Sequence, residues 1–249
     1  TGTSEQEVYT HAKRLVEPTN GLVVVTFPPR DLSRLSTFHK IACKTKKKLV
    51  IDFSQAYLLD RFSELCDRYP NTDHPNLCLY APRKSWGLAG RKDVESNIPG
   101  LCYPENISEQ DYSTWEREYL NRDNTINYLD IKEQQDYVFY CNYFQINQLI
   151  DVKPKPGSKY LRSITEPFSD EMLLDVVRVK NWLDLLNLEL FGMCSEDKLH
   201  ASGHANGIEI KQALRHINPK QIIPIHTENP SYLNEHFNNV KQPKYGETI

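Results

Sequence analysis

A chain of 249 residues and 29.0 kDa, 39% hydrophobic with a mean hydropathy of -0.60, has the material for one large domain or two small ones around a sizeable core. Its net charge of -3 and pI near 6.2 exclude a generically basic nucleic-acid coat, so any contact with phosphate backbones has to come from local patches such as Lys44–Lys48 and Lys153–Lys155. It has neither a bilayer-spanning apolar run nor a secretory leader pattern. Its six cysteines show no C-x-x-C spacing, which favours free thiols in a reducing, cytoplasmic setting over a disulfide framework.

In chain order, Val8–Val16 reads as a short amphipathic helix and Gly21–Phe27 as a buried strand. After Pro28-Pro29, Asp31 is a plausible N-cap for a helix whose apolar face is Leu35, Phe38 and Ala42. Lys48–Asp52 is a second strand, Gln55–Cys66 a second helix and Leu77–Tyr80 a third strand. Asp52 reads as the cap of the helix that follows it. Residues 83–127 are less regular, with one helical stretch around Ser108–Leu120. The strand pattern resumes at Tyr137–Cys141, followed by a helix over Tyr143–Ile150, a turn over Lys153–Gly157 and a strand over Lys159–Ser163. Met172, Val176, Val179, Leu183 and Leu186 mark a long helix with one apolar stripe. Alternating strands and helices predict a parallel, right-handed α/β sheet. Cys43, Cys78 and Cys141 fall inside apolar runs, the usual place for a buried thiol.

The most informative residues lie near the C-terminus. His200-Ala-Ser-Gly-His204 precedes Asn206-Gly207 and a helix with apolar positions Ile210, Ala213, Leu214 and Ile217. A strand expected over Gln221–Ile225 then leads to His226-Thr-Glu228. Small residues around His204 let a ligand approach the backbone, and the helix N-terminus offers N–H groups to a phosphate. An imidazole there can give a proton to a leaving oxygen. His226 has the chemistry of a zinc ligand, with Glu228 available to orient it. Taken alone, His204 reads more readily as a capping residue in an ordinary turn and His226 as a structural histidine. His11, His39, His74, His216 and His236 belong to no constellation and read as surface.

These motifs resemble the closing motifs of the β-CASP branch of the metallo-β-lactamase superfamily, the group of RNase J and the RNA 3′-end-processing endonucleases. Arg30–Arg34, Thr165–Phe168 and Asn181-Trp182 extend the likeness. It implies a Rossmann-like, parallel-sheet β-CASP domain over 4–195, then the C-terminal strands and helices of a metallo-β-lactamase domain over 196–249. It implies zinc-dependent hydrolysis of single-stranded RNA, with His204 as general acid or phosphate clamp, His226 as a zinc ligand and Glu228 as its catalytic companion. His200, Ser202, Gly203, Ser163 and Arg34 become candidates for substrate phosphates. The superfamily's H-x-H-x-D-H cluster does not occur in the sequence. The resemblance therefore places the other zinc ligands upstream. It also implies two zinc ions in the whole enzyme, with no active-site zinc and no activity in this chain alone. It implies no membrane partner and admits a homodimer. A non-catalytic RNA-binding or scaffold protein on the same fold is the rival reading. A stand-alone nucleotide binder is disfavoured, because no G-x-G-x-x-G follows any strand.

Overall fold

Strands buried on both faces carry unbroken apolar runs, and Val23–Thr26 and Leu77–Tyr80 are buried at every position. In the computed structural model, which describes residues 3–63, 65–84, 88, 111–203, 205–225, 227 and 229–246, these runs lie in one seven-stranded sheet. Its elements are α1 (Glu5–Val16), β1 (Val23–Thr26), α2 (Leu32–Lys44), β2 (Lys48–Asp52), α3 (Phe53–Ser63), β3 (Leu77–Tyr80), α4 (Arg117–Leu120), β4 (Thr125–Ile126), β5 (Tyr137–Tyr140), α5 (Leu149–Val152), β6 (Lys159–Arg162), α6 (Asp170–Leu185), β7 (Glu189–Phe191) and α7 (Gly207–Ile217). The strand order is β4-β3-β2-β5-β1-β6-β7, and every pairing is parallel. The chain is therefore a Rossmann-like α/β protein, as its alternating pattern predicts.

Alternate side chains of each strand feed two cores. One face packs Val23, Val25, Leu49, Ile51 and Val138 against α1, α2 and α3. There Phe27 stacks on Phe38 at 5.5 Å and meets Tyr140 at 4.7 Å. The other face packs Leu22, Val24, Val50, Phe139 and Tyr160 against α5 and the inner stripe of α6. Helix ends follow their caps. Ser4 and Glu7 form a reciprocal capping box at α1, and Asp31 caps α2 through the Arg34 N–H at 2.9 Å.

Four expectations change. The second helix begins at Phe53, directly off β2, and ends at Ser63. Residues 143–148 form a 3₁₀ turn, capped by Asn142, before the short α5. The helix expected around Ser108–Leu120 is only α4 among the described residues. No strand forms over Gln221–Ile225. Only Ile222 bridges Val240, and Ile225 is 79% exposed. An extended segment without a second neighbour has no ladder to join.

The chain divides into two compact units, Thr3–Ala201 and Ser202–Ile249, the latter together with Thr1–Gly2. The five described cysteines are free, with Cys78 and Cys141 buried. No described helix is long and apolar enough to cross a membrane.

Candidate functional site

In the sheet unit, polar side chains gather at the carboxyl ends of β1 and β6, the edge where open α/β sheets place reacting groups. Thr26 pairs with Arg162, and the Ser163 N–H donates to the Thr26 carbonyl at 2.8 Å. Arg34, in the first turn of α2, points into this edge and is 1% exposed. Its Nε and Nη2 donate to the two oxygens of Glu5 at 2.8 and 2.9 Å. Its Nη1 donates to the carbonyls of Ser163 and Leu199, both at 3.1 Å, and to Ser163 Oγ. Thr37 adds a hydroxyl donor to Glu5 at 2.7 Å. Burial acts to raise the Glu5 carboxyl, but hydrogen bonds from Arg34 and Thr37 and the Arg34 charge outweigh it and hold it below its ordinary value.

Arg34 and Ser163, expected to contact RNA phosphates, are thus placed inside a closed network. Every nitrogen of the guanidinium already donates, and Ser163 is 0% exposed with its hydroxyl given to the Leu199 carbonyl. His200 sits beside them. Burial lowers its pKa, and the charges of Arg34 and Arg162 lower it further, which favours the neutral imidazole. Its Nδ1 is buried with no hydrogen-bond partner among the described residues. Asp52 behaves as the cap the sequence suggests, accepting from the Gln55 N–H at 2.8 Å and Gln145 Nε2 at 2.9 Å, while burial pushes its carboxyl up.

In the C-terminal unit, Ser202 and Gly203 are exposed, and a Cβ at Gly203 would meet open space. His204, His226 and Glu228 lie outside the described residues. The first turn of α7 differs from the open phosphate cradle expected of it. Asn206 Oδ1 accepts from the N–H groups of Ile208 and Glu209 at 3.0 and 3.1 Å, and Glu209 accepts from the Asn206 N–H at 2.8 Å. Two of the donors a phosphate would use are already engaged, and Glu209 adds a negative charge. Of the described side chains, none on α7 is buried, and Ile208, Ile210 and Ile217 are exposed. Within the unit, Tyr232 meets His236 edge-on at 5.2 Å, and Lys211 lies over the Tyr232 ring.

A groove of about 810 Å³ between α3 and residues 118–124 is lined by Asp60, Asp73, Glu118 and Asp123 against Arg61 and Arg122. That balance of charge does not suit a polyanion.

The surface assignment fails for His39. It is buried at 7% exposure, its Nε2 lies 3.1 Å from His74 Nδ1, and Cys43 Sγ is 3.6 Å from the same nitrogen. Burial, reinforced by His74 and Lys40, pushes His39 down to about 4. The sequence signal was the i, i+4 spacing of His39 and Cys43 on one helix face. His74 joins them only through the fold.

A parallel α/β sheet with polar groups at its carboxyl edge precedes a second compact unit in this chain. Residues 194–238 match the family model of the Zn-dependent metallo-hydrolase RNA specificity domain. The matched segment is thus similar to a domain that confers RNA specificity on zinc-dependent hydrolases. Comparison with curated proteins gives no match. For the zinc this match implies, the chain supplies one expected ligand, His226, where a zinc site takes three or four protein donors. The residues in hand do not fit a complete family site, and no catalytic step is derived through that metal.

Proposed function

We propose that this chain is the C-terminal part of a zinc-dependent β-CASP ribonuclease of the RNase J kind, inactive by itself. Residues 4–195 are its β-CASP domain and 196–249 the return segment of its metallo-β-lactamase domain. The observation that carries this reading is the match of residues 194–238 to an RNA specificity domain of zinc-dependent hydrolases. The parallel sheet preceding that segment supports it. In this reading His226 is a metal ligand oriented by Glu228, and His204 gives a proton to the leaving oxygen of the phosphodiester. Ser202, Gly203 and His200 border the path of single-stranded RNA. Arg34 and Ser163 act one layer back, fixing the backbone at Leu199 from which His200 projects. The whole enzyme works with two zinc ions, in the cytoplasm, and admits a homodimer.

The test is made in the whole enzyme on 5′-phosphorylated RNA. His226→Ala is expected to lower both zinc content and cleavage. His204→Ala is expected to spare zinc and lower the cleavage rate by about two to four orders of magnitude, the usual contribution of a general acid. Wild-type rates in both variants overturn the reading. RNA binding with no metal-dependent cleavage in the whole protein establishes the scaffold reading instead.

A further inference from the structure

The end of the sheet opposite the Arg34 network holds three soft donors that no hydrolytic role absorbs. His39 and Cys43 stand one turn apart on the last two turns of α2, and His74 lies in the loop that enters β3. Their ligand atoms, His39 Nε2, His74 Nδ1 and Cys43 Sγ, lie within 4.8 Å of one another. We propose that His39, Cys43 and His74 form a binding site for a divalent transition-metal ion of the zinc type, with the fourth position left to water.

The spacing carries the proposal. Zinc bonds of about 2.0–2.1 Å to nitrogen and about 2.3 Å to sulfur, set at tetrahedral angles, separate two nitrogens by about 3.3 Å and nitrogen from sulfur by about 3.6 Å. The separations here are 3.1 Å between the two imidazole nitrogens and 3.6 Å between His39 Nε2 and Cys43 Sγ. Hydrogen bonding accounts for the cluster less well. His74 Nδ1 has one in-plane lone pair, yet both His39 Nε2 and the Asn76 N–H approach it at 3.1 Å. A metal ion at the centre uses the His74 lone pair and releases the Asn76 N–H. The rings meet edge-on, with centroids 4.4 Å apart, so their nitrogens can converge on a point beside both. Two imidazoles and a thiol select a zinc-type ion over calcium or magnesium, which take oxygen donors. Lys40 and Lys44 flank the site, so coordination by the three donors has to outweigh their repulsion. Burial pushes the Cys43 thiol up, so binding forms the metal–sulfur bond, breaks the S–H bond and releases one proton to solvent. A bound ion would pin α2 to the loop entering β3.

The test uses the whole 249-residue chain, reduced and stripped of metal, with the exposed Cys66 and Cys194 replaced by serine. Cobalt(II) chloride is the probe. The expected result is a thiolate-to-cobalt charge-transfer band with tetrahedral visible absorption, saturating at one equivalent and abolished by zinc. Cys43→Ser should remove the charge-transfer band, and His74→Gln should weaken binding at least tenfold. Both positions are half-buried, so far-UV circular dichroism is expected to show both variants folded. His226→Ala should leave the band unchanged, which separates this site from the ligand assigned under the proposed function. A parent chain without the band at one equivalent, or a band that survives Cys43→Ser, overturns the site.

Discussion

Gly192 lies against the carbonyl oxygen of Arg162, so close that a methyl group on its α-carbon would overlap that oxygen. Its φ of +91° is also one that residues with a Cβ rarely adopt. This glycine lets the chain leaving β7 pass over the end of β6, where Arg162 and Ser163 begin the polar edge. Gly192→Ala is expected to destabilise the sheet unit by about 1–3 kcal/mol from backbone strain alone, with steric overlap adding to that. Urea unfolding followed by circular dichroism measures it.

Arg34 and Glu5 make a second testable pair. Arg34→Ala removes a buried guanidinium that donates to Glu5, Ser163 and Leu199, a loss expected to cost about 3–5 kcal/mol. Glu5→Ala is expected to cost less, about 1.5–3 kcal/mol, because its side chain is 40% exposed and water partly replaces the carboxylate. The double variant should lose less than the sum of the two, and a double-mutant cycle on unfolding free energies checks this.

Acid should weaken the fold in a defined window. For Asp60, burial acts to raise the carboxyl, but hydrogen bonds from Arg122 and Thr72, with the Arg122 charge, hold it below its ordinary value of 3.8. Glu5 is likewise held below 4.5. Each native pKa is below its unfolded value, so the stabilisation is complete above the unfolded pKa and disappears as pH falls through the native one. The urea midpoint is expected to fall steadily below about pH 4.5, the ordinary glutamate value. Asp60→Asn should start lower and depend less steeply on pH in that range.

Binding of RNA should map to the loop ahead of α7. Titration with a 5′-phosphorylated oligonucleotide is expected to give salt-sensitive binding that weakens on Ser202→Ala or His204→Ala. Binding indifferent to both substitutions would place the RNA path elsewhere.

The central strands were legible because each is an apolar run between turn residues, and Val23–Thr26 or Leu77–Tyr80 can hardly be anything but interior. Helix starts were legible where a capping side chain marks them, as at Asp31. β7 was not, since Glu189–Phe191 is three residues long, half-exposed and without an apolar run. Over 221–225 the apolar pattern suggested a strand, but a pattern cannot supply the partner that a ladder needs. Site residues were read by chemical type, which cannot show direction. Arg34 and Ser163 carry phosphate-binding groups and spend them internally. His74 looked isolated because its partners lie more than thirty positions away in sequence.

Glu7, in the first turn of α1, accepts from Lys198 Nζ at 2.9 Å, and Arg34 ties Glu5 to the Leu199 carbonyl. The entrance and exit of the sheet unit are therefore side by side, although nearly the whole unit separates them along the chain. A unit built this way can be spliced into a surface loop of a host fold without parting the host's own strands.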